Sequence, residues 1–238
     1  MKRLNNRPLD MLRTLEIESP AYGYGEGSCL IKMGGTIVLC NVSVTESVPK
    51  FLKDQKKGWL TAEYAMLPRA THTRSDRESA RGKQAARSIE IQRLISRSLR
   101  QSIDLKALGE RTIQVDCDVL QADGGTRVAA INGAMVALVL ALRKLQYDKI
   151  LLKDPLNCFI SSVSVGYKDG AFYLDLDYEE DSSMDVDLNL VMNDRDEVVE
   201  VQGTAENKAI NRNELNEMLD LAQAGIKKIR AAQQKALS

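Results

Sequence analysis

A glycine pair, a threonine and an arginine stand directly before the longest near-apolar run of this sequence. The stretch Gly124-Gly125-Thr126-Arg127 leads into the run from Val128 to Leu142. The first N–H groups of a helix lack partners and carry partial positive charge. Glycine lets a ligand approach the backbone, and a bound anion would offset an arginine at a helix start. Gly125, Thr126 and Arg127 are therefore candidate phosphate ligands; the alternative is a plain turn in which Thr126 caps the helix.

A second candidate anion ligand is Arg87, near the start of a helix predicted over Lys83 to Ile103. At about 100° per residue Arg87 projects between Ile91 and Leu94, so we expect it on the apolar face of that helix. An arginine on that face must extend to solvent, pair with an acid or meet an anion, because an unpaired buried charge is costly.

Acidic residues are concentrated between Asp175 and Asp187, where seven acids occur without a base. Asp185 and Asp187 share one face of a predicted strand, and Asp181 lies in the loop before it. Clustered carboxylates repel one another unless a cation joins them, and an all-oxygen ligand set suits Mg²⁺ or Mn²⁺. The alternative is a solvated acidic loop.

Basic residues are concentrated between Arg69 and Arg100, with nine Arg or Lys against three acids, although the formal net charge of the chain is zero. A zero net charge argues mildly against nucleic-acid binding. Local fields rather than the total charge steer a polyanion, however, so the basic stretch is compatible with an RNA or DNA partner.

These sites together suit a reaction that brings two phosphates together. Two anions meet when arginines, backbone N–H groups and a metal offset their charge. The single histidine, His72, lies in an irregular segment, and no Ser-His-Asp or Cys-His set can be built around it. Inorganic phosphate is already anionic at neutral pH and needs little deprotonation, which favours phosphorolysis over hydrolysis.

The elements that must position these residues are a mixture of strands and helices. TIQVDCDVL alternates as a half-buried strand. Hairpins are predicted to turn at Gly34-Gly35, at Asp169-Gly170 and near Asn193-Asp194. Helices are predicted over Lys83 to Ile103, Arg127 to Leu145 and Asn213 to Ala236. We expect an α+β fold with mixed sheets in one domain, 1–238, and a long irregular loop from Glu46 to Arg81.

Cysteines and hydropathy bear on the compartment. The four cysteines form no C-x-x-C pair and lie in apolar or alternating stretches, which predicts reduced core residues. The start MKRLNNRPLD lacks the apolar region of a signal peptide. The run from Val128 to Leu142 is shorter than the roughly 20 residues that span a membrane. We expect a cytoplasmic protein without a membrane partner.

Several long motifs resemble the bacterial ribonuclease PH family. They occur in family order from about Arg7 to the C-terminus and include LPRATHTRSDRESARGKQAAR, LQADGGTR, DLDYEEDSS and VEVQGTAE. The resemblance implies a ring-forming α+β domain, assembled as a homohexamer that is a trimer of dimers. It also implies a phosphate-dependent 3′→5′ exoribonuclease that trims tRNA precursors and other RNA 3′ ends, uses inorganic phosphate as co-substrate and releases nucleoside 5′-diphosphates.

The same resemblance implies roles for individual residues. Motif by motif, it implies phosphate binding by Arg87, Gly125, Thr126 and Arg127. It implies catalysis and binding of Mg²⁺ or Mn²⁺ by Asp181 and Asp187. It implies guidance of RNA by Arg69, Arg74 and Arg77. The chain departs from the family where Ala85-Ala86 replace a usual Gly-Gly. The alternative is an inert RNA-binding ring subunit; such subunits tend to lose these arginines or aspartates, and all are present here.

Overall fold

The first of two β-sheets contains five strands. The computed structural model describes residues 3–238. In this sheet the strand order is β1-β2-β3-β5-β4, and β4 is parallel to β5 while the other neighbours are antiparallel. The strands are β1 (Leu15–Glu18), β2 (Gly27–Met33), β3 (Thr36–Thr45), β4 (Trp59–Met66) and β5 (Thr112–Gln121). The predicted strand TIQVDCDVL and the hairpin at Gly34-Gly35 are both confirmed.

The second sheet has four antiparallel strands in the order β7-β6-β8-β9. Its register sets Asp187 opposite Thr204 and Asn189 opposite Gln202. Its strands are β6 (Ile160–Lys168), β7 (Ala171–Leu174), β8 (Val186–Asn193) and β9 (Val198–Ala205). Both hairpins predicted for this part of the chain are confirmed.

The helices lie on the faces of these sheets. Helix α2 packs on β4, and α6 packs on β6 and β1. The helices are α1 (Glu78–Arg81), α2 (Ala86–Gln101), α3 (Leu105–Leu108), α4 (Thr126–Tyr147), α5 (Tyr178–Asp181) and α6 (Arg212–Ala236), with 3₁₀ turns at Leu4–Asn6 and Lys50–Leu52. The mixture of two sheets and surrounding helices confirms the predicted α+β class.

Helix α4 lies between the sheets, where it contacts β2 and β3 of the first sheet and β6 of the second. It is buried on nearly every side, as its all-round apolar pattern predicts. The helix has 22 residues, and its most apolar 18-residue stretch has a mean hydropathy of 1.7, which is the length and composition of a membrane span. However, 83% of that stretch is buried inside the protein. This burial is typical of a core helix. The helix predicted over Arg127 to Leu145 was slightly too short, since α4 runs from Thr126 to Tyr147.

The segment predicted to be irregular contains a strand, so that prediction was wrong for Trp59–Met66. Leu60, Ala62 and Tyr64 point inward and are at most 4% exposed. Inward and outward residues alternate in this strand. The alternation in hydropathy is weak, however, because one inward residue, Ala62, is small and one outward residue, Ala65, is apolar. The chain from Leu67 to Arg77 contains no helix or strand.

The four cysteines are free and buried, as predicted. Cys29, Cys40 and Cys117 face one another across β2, β3 and β5. Burial raises the pKa of the Cys29 thiol to about 12. The thiols therefore behave as core residues and not as nucleophiles.

Candidate active site

A polar cleft of about 700 Å³ lies where the N-terminal ends of α2 and α4 meet α5 and the strands β8 and β9. It brings together six residues that the sequence predicts as phosphate or metal ligands, from four separate stretches of the chain. These are Arg87, Gly125, Thr126, Arg127, Asp181 and Asp187.

The N-terminus of α4 opens into this cleft without a side-chain cap. Gly125 is the N-cap residue, in a left-handed conformation with φ 62°. The Thr126 hydroxyl is buried and accepts a hydrogen bond from the Tyr64 hydroxyl at 2.8 Å. The alternative that Thr126 caps the helix is therefore wrong. The first N–H groups of α4 remain available to an anion.

Arg127 is fixed by two polar neighbours at the edge of the cleft. Its Nη1 donates to Glu90 Oε1 of α2 at 3.0 Å and to Gln202 Oε1 of β9 at 2.9 Å. The Arg127 side chain is 17% exposed, against 46% for Glu90. The guanidinium thus bridges α2 and β9 and keeps unused N–H donors for a ligand.

Arg87 lies in the cleft at the first turn of α2, where an arginine on the apolar face of the helix can extend to solvent or meet an anion. The helix begins at Ala86. Ile91 and Leu94 are buried on one face of this helix, and at the first turn the same face borders the cleft. Arg87 is exposed. Its charge lowers the pKa of Asp181, in opposition to larger effects that raise it.

Asp181 and Asp187 both line the cleft, and the pKa of each carboxyl is raised above its ordinary value. Burial raises the pKa of Asp181, the Asp187 carboxylate raises it further, and Arg87 and Arg127 act in the opposite direction. Burial and the Glu206 carboxylate raise the pKa of Asp187. Asp181 is exposed to the cleft, whose walls remove part of its hydration. Mutual repulsion in a partly desolvated site is the condition in which a cation stabilises carboxylates.

The residues present fit one hard divalent cation. No group of three or more His, Cys, Asp or Glu within residues 3–238 forms a complete protein cage for a metal. Mg²⁺ is commonly held by one or two carboxylates, with water and substrate phosphate completing its coordination. Asp181 and Asp187 supply that minimal oxygen set.

The three arginines predicted to guide RNA lie outside the cleft and apart from one another. Arg69 lines a separate cavity of about 720 Å³ with His72 and Tyr178. Arg77 lines another cavity, of about 600 Å³. Arg74 is exposed and donates to Asp76 at 3.1 Å. Within one chain they form no joint site.

Comparison with known families identifies the family to which this chain belongs. Residues 11–144 match the model described as domain 1 of the 3′ exoribonuclease family, the RNase PH model, and residues 158–225 match domain 2 of the same family. The first match alone spans more than half of the chain. The chain belongs to the 3′ exoribonuclease family. The resemblance to ribonuclease PH is thereby confirmed at the level of the family.

Solved structures with this family's fold include exosome components. Rice (Oryza sativa) Rrp46 is 18% identical, with a TM-score of 0.79 over 99% of this chain and 100% of that one. A subunit of the Archaeoglobus fulgidus exosome with RNA bound to the active site is 24% identical, with a TM-score of 0.80 over 97% and 92%. A chain of an archaeal exosome core is 23% identical, with a TM-score of 0.77 over 100% and 92%. At these identities the likeness establishes a shared fold.

The cleft residues that were not predicted include Glu90, Asn189, Gln202 and Glu206. Asn189 and Gln202 are register partners on β8 and β9, and Glu206 follows the end of β9. Period-two alternation places Gln202, Thr204 and Glu206 on one side, so pairing of β8 with β9 could have identified them. Glu90 had no such indication, because its role depends on the approach of α2 to α4.

Proposed function

We propose that the chain is a phosphate-dependent 3′→5′ exoribonuclease that trims tRNA precursors and other RNA 3′ ends. One observation carries the proposal. A single cleft contains an uncapped helix N-terminus, the exposed Arg87 and two carboxylates whose pKa values are raised. This arrangement offers separate sites for an anion and for a cation within reach of one reaction centre.

In the proposed reaction, an oxygen of inorganic phosphate attacks the phosphorus of the last phosphodiester bond. The bond to the 3′ oxygen of the preceding nucleotide breaks, and the terminal nucleotide leaves as a nucleoside 5′-diphosphate. The shortened RNA keeps a 3′ hydroxyl. One phosphodiester bond is exchanged for one phosphoanhydride bond, and the proton of the phosphate passes to the 3′ oxygen, so the reaction can also run in reverse with diphosphates.

Each cleft residue has a role in this proposal. Arg87 and the N–H groups of Gly125 and Thr126 hold the attacking phosphate, and Arg127 stabilises charge on the phosphate under attack. Asp181 and Asp187 would hold Mg²⁺ or Mn²⁺, which would neutralise the leaving oxygen. No general base is required, because phosphate is already an anionic nucleophile.

A second candidate is an RNA-binding ring subunit with weak or no turnover. It is supported by the three similar structures, which are described as an exosome, an exosome core and Rrp46. The pairing of Arg127 with Glu90 also fits this candidate, since a carboxylate already holds one face of the guanidinium. The presence of both aspartates and both cleft arginines favours turnover. The ring itself is common to the two candidates.

The two candidates differ in one assay. Purified protein is incubated with a 3′-extended tRNA precursor and Mg²⁺ or Mn²⁺, with and without inorganic phosphate. If the chain is the exoribonuclease, the RNA should shorten from its 3′ end only in the presence of phosphate, and the products should be nucleoside 5′-diphosphates. Nucleoside monophosphates formed without phosphate would indicate hydrolysis. RNA binding without any shortening would identify the ring subunit.

Assembly belongs to the same proposal. We expect a homohexamer, a trimer of dimers, in which a neighbouring chain meets the charged segment from Leu67 to Arg77. That segment exposes Arg69, Arg74 and Arg77. Mass photometry over a dilution series should resolve hexamers and dimers. A monomer at every concentration would contradict the ring in both candidates.

A further inference from the structure

Arg13 contacts the turn before α4 and the loop before α5. It precedes β1, and its side chain is 7% exposed. Its Nη2 donates to Asp175 Oδ1 at 2.7 Å, and its backbone N–H donates to Asp175 Oδ2 at 2.8 Å. Its Nη1 donates to the carbonyl of Asp123. One side chain therefore joins the turn before α4 to the loop before α5, although it does not line the cleft.

Asp175 is held in an unfavourable conformation at this contact. It is fully buried and has φ 56°, in the left-handed region that non-glycine residues rarely adopt. Its carbonyl accepts from Arg7 Nη1 at 3.0 Å. Such conformations persist when the surroundings over-determine them, and they cluster at functional sites. Asp175 begins the short loop that leads into α5, whose last residue is Asp181.

The turn and the loop are also in direct contact. Gly124 has φ 73°, and a Cβ at this position would lie 2.5 Å from the Asp177 carbonyl carbon. The Tyr178 N–H donates to Asp123 Oδ1 at 3.3 Å. Behind Gly125, an added Cβ would lie 3.1 Å from Arg13 Nη2. The α4 N-terminus and the loop before α5 are therefore in close backbone contact, and the Arg13 guanidinium packs behind Gly125.

We infer that Arg13 is a positioning residue that sets the anion site at the α4 N-terminus against the carboxylates Asp181 and Asp187. The inference rests on the proposed function. Two adjacent ligands of opposite charge favour each other's binding when their sites are held at a fixed separation. Arg13 bonded to both loops provides that constraint, and a purely stabilising ion pair would not affect the coupling between the ligands.

The test measures thermodynamic coupling between inorganic phosphate and Mn²⁺. The affinity for each is determined by calorimetry with and without the other, in the intact wild-type chain and in Arg13→Lys. We expect the wild-type protein to show coupling of about 5- to 150-fold. In Arg13→Lys the coupling should fall close to one, because a single ammonium nitrogen cannot reproduce the two separate guanidinium nitrogens that contact Asp123 and Asp175. Turnover of RNA should fall by about 10²-fold.

Arg230→Lys is the matched control. Arg230 has a side chain that is 13% exposed and donates to the Asn193 carbonyl at 2.6 Å, in the hairpin between β8 and β9. It lies outside the cleft lining. This substitution should lower the melting temperature as Arg13→Lys does, but leave the coupling and the turnover unchanged.

The outcomes separate this inference from the proposed function. Wild-type coupling that is lost in Arg13→Lys, without RNA shortening by the wild-type protein, contradicts phosphorolysis and supports the positioning role. Wild-type coupling and turnover retained in Arg13→Lys overturn the positioning role and leave phosphorolysis standing. Absence of coupling in the wild-type protein also overturns the positioning role. If Arg13→Lys does not fold, Asp175→Asn serves instead, since asparagine tolerates the left-handed region and removes the charge that Arg13 contacts.

Discussion

Glu90 on α2 accepts a hydrogen bond from Arg127 on α4 across 3.0 Å, so an acid already occupies part of the guanidinium that faces the cleft. An incoming phosphate must share Arg127 with this carboxylate. Glu90→Gln keeps an oxygen acceptor and removes the negative charge. Because the pair is partly exposed, we expect phosphate affinity to rise modestly, by about 2- to 5-fold. Calorimetric titration at low ionic strength measures the change; an unchanged or weaker affinity would mean that the charge of Glu90 is needed to orient Arg127.

Arg87→Ala should act mainly on the use of phosphate. Loss of one charge-assisted contact where two anions converge costs about 10²–10³ in rate, while RNA affinity should change little. Arg87→Lys should restore part of the rate, because it returns the charge without the guanidinium fork. Steady-state kinetics over a phosphate series measures the effect. Arg93→Ala, which removes an exposed arginine of the same helix outside the cleft lining, is the control and should behave as wild type.

Asp187→Asn should abolish turnover and stabilise the metal-free fold at neutral pH. Burial and Glu206 raise the pKa of this carboxyl in the folded protein. A raised pKa means that ionisation opposes folding, so stability is lost as the pH rises above the ordinary Asp value of 3.8. Thermal melts should show a higher Tm for Asp187→Asn at pH 7, and the gain should disappear below pH 3.8.

Asp185, a neighbouring acidic residue, provides the control for the loss of turnover expected in Asp187→Asn. It lies outside the cleft lining, so Asp185→Asn should retain turnover. Full activity in Asp181→Asn and Asp187→Asn together would show that the carboxylates form a solvated surface and not a metal site.

The arginines of the segment from Leu67 to Arg77 should control the salt dependence of RNA binding. A single-stranded contact contributes about 0.7 to the log–log slope, so neutralising Arg69, Arg74 and Arg77 should reduce the slope by about 2. Fluorescence anisotropy at several salt concentrations measures it. Neutralising three lysines of α6, Lys227, Lys228 and Lys235, makes the same change of net charge elsewhere. An equal reduction of the slope in both triple variants would indicate that the effect is one of net charge alone.

Gly124→Ala should destabilise the fold more than Gly170→Ala does. Both glycines have positive φ, 73° and 80°, so both substitutions strain the backbone. A Cβ at Gly124 meets the Asp177 backbone at 2.5 Å, whereas one at Gly170 meets nothing within 4 Å. The difference in unfolding free energy, measured by urea denaturation, should be at least about 1 kcal/mol. Equal losses would show that the turn before α4 can move away from the α5 loop.

Local patterns in the sequence predicted most of the elements that build this fold. The hairpins are marked by glycine turns and alternation, and α4 by its continuous apolar run. Strand β4 was missed because Ala62 and Ala65 lie on opposite faces with similar hydropathy, so the alternation is hidden. Helical periodicity indicates the face on which Arg87 lies, but it does not indicate that this face borders a cleft at the first turn of α2.

The candidate site was partly predictable for a related reason. Arg87, the Gly125 turn and the two aspartates each belong to a motif that can be recognised locally. The contacts made by Glu90, Gln202 and Arg13 cannot, because they depend on how α2, β9 and the N-terminal segment approach the cleft. Arg13 and Asp175 are separated by 162 residues, and no local pattern joins them.

Helix α4 is covered by a sheet on either side, and the second sheet is synthesised after the helix. During synthesis there is therefore a period in which α4 is incompletely covered and the nascent chain is prone to aggregate. A nascent chain that ends just after Tyr147 has the first sheet but lacks β6, and the apolar side chains that β6 covers are open to water. Such surfaces attract other nascent chains and molecular chaperones. Codons that slow elongation between α4 and β6 would lengthen this interval, and they should lower the soluble yield more than equal pauses placed after β9.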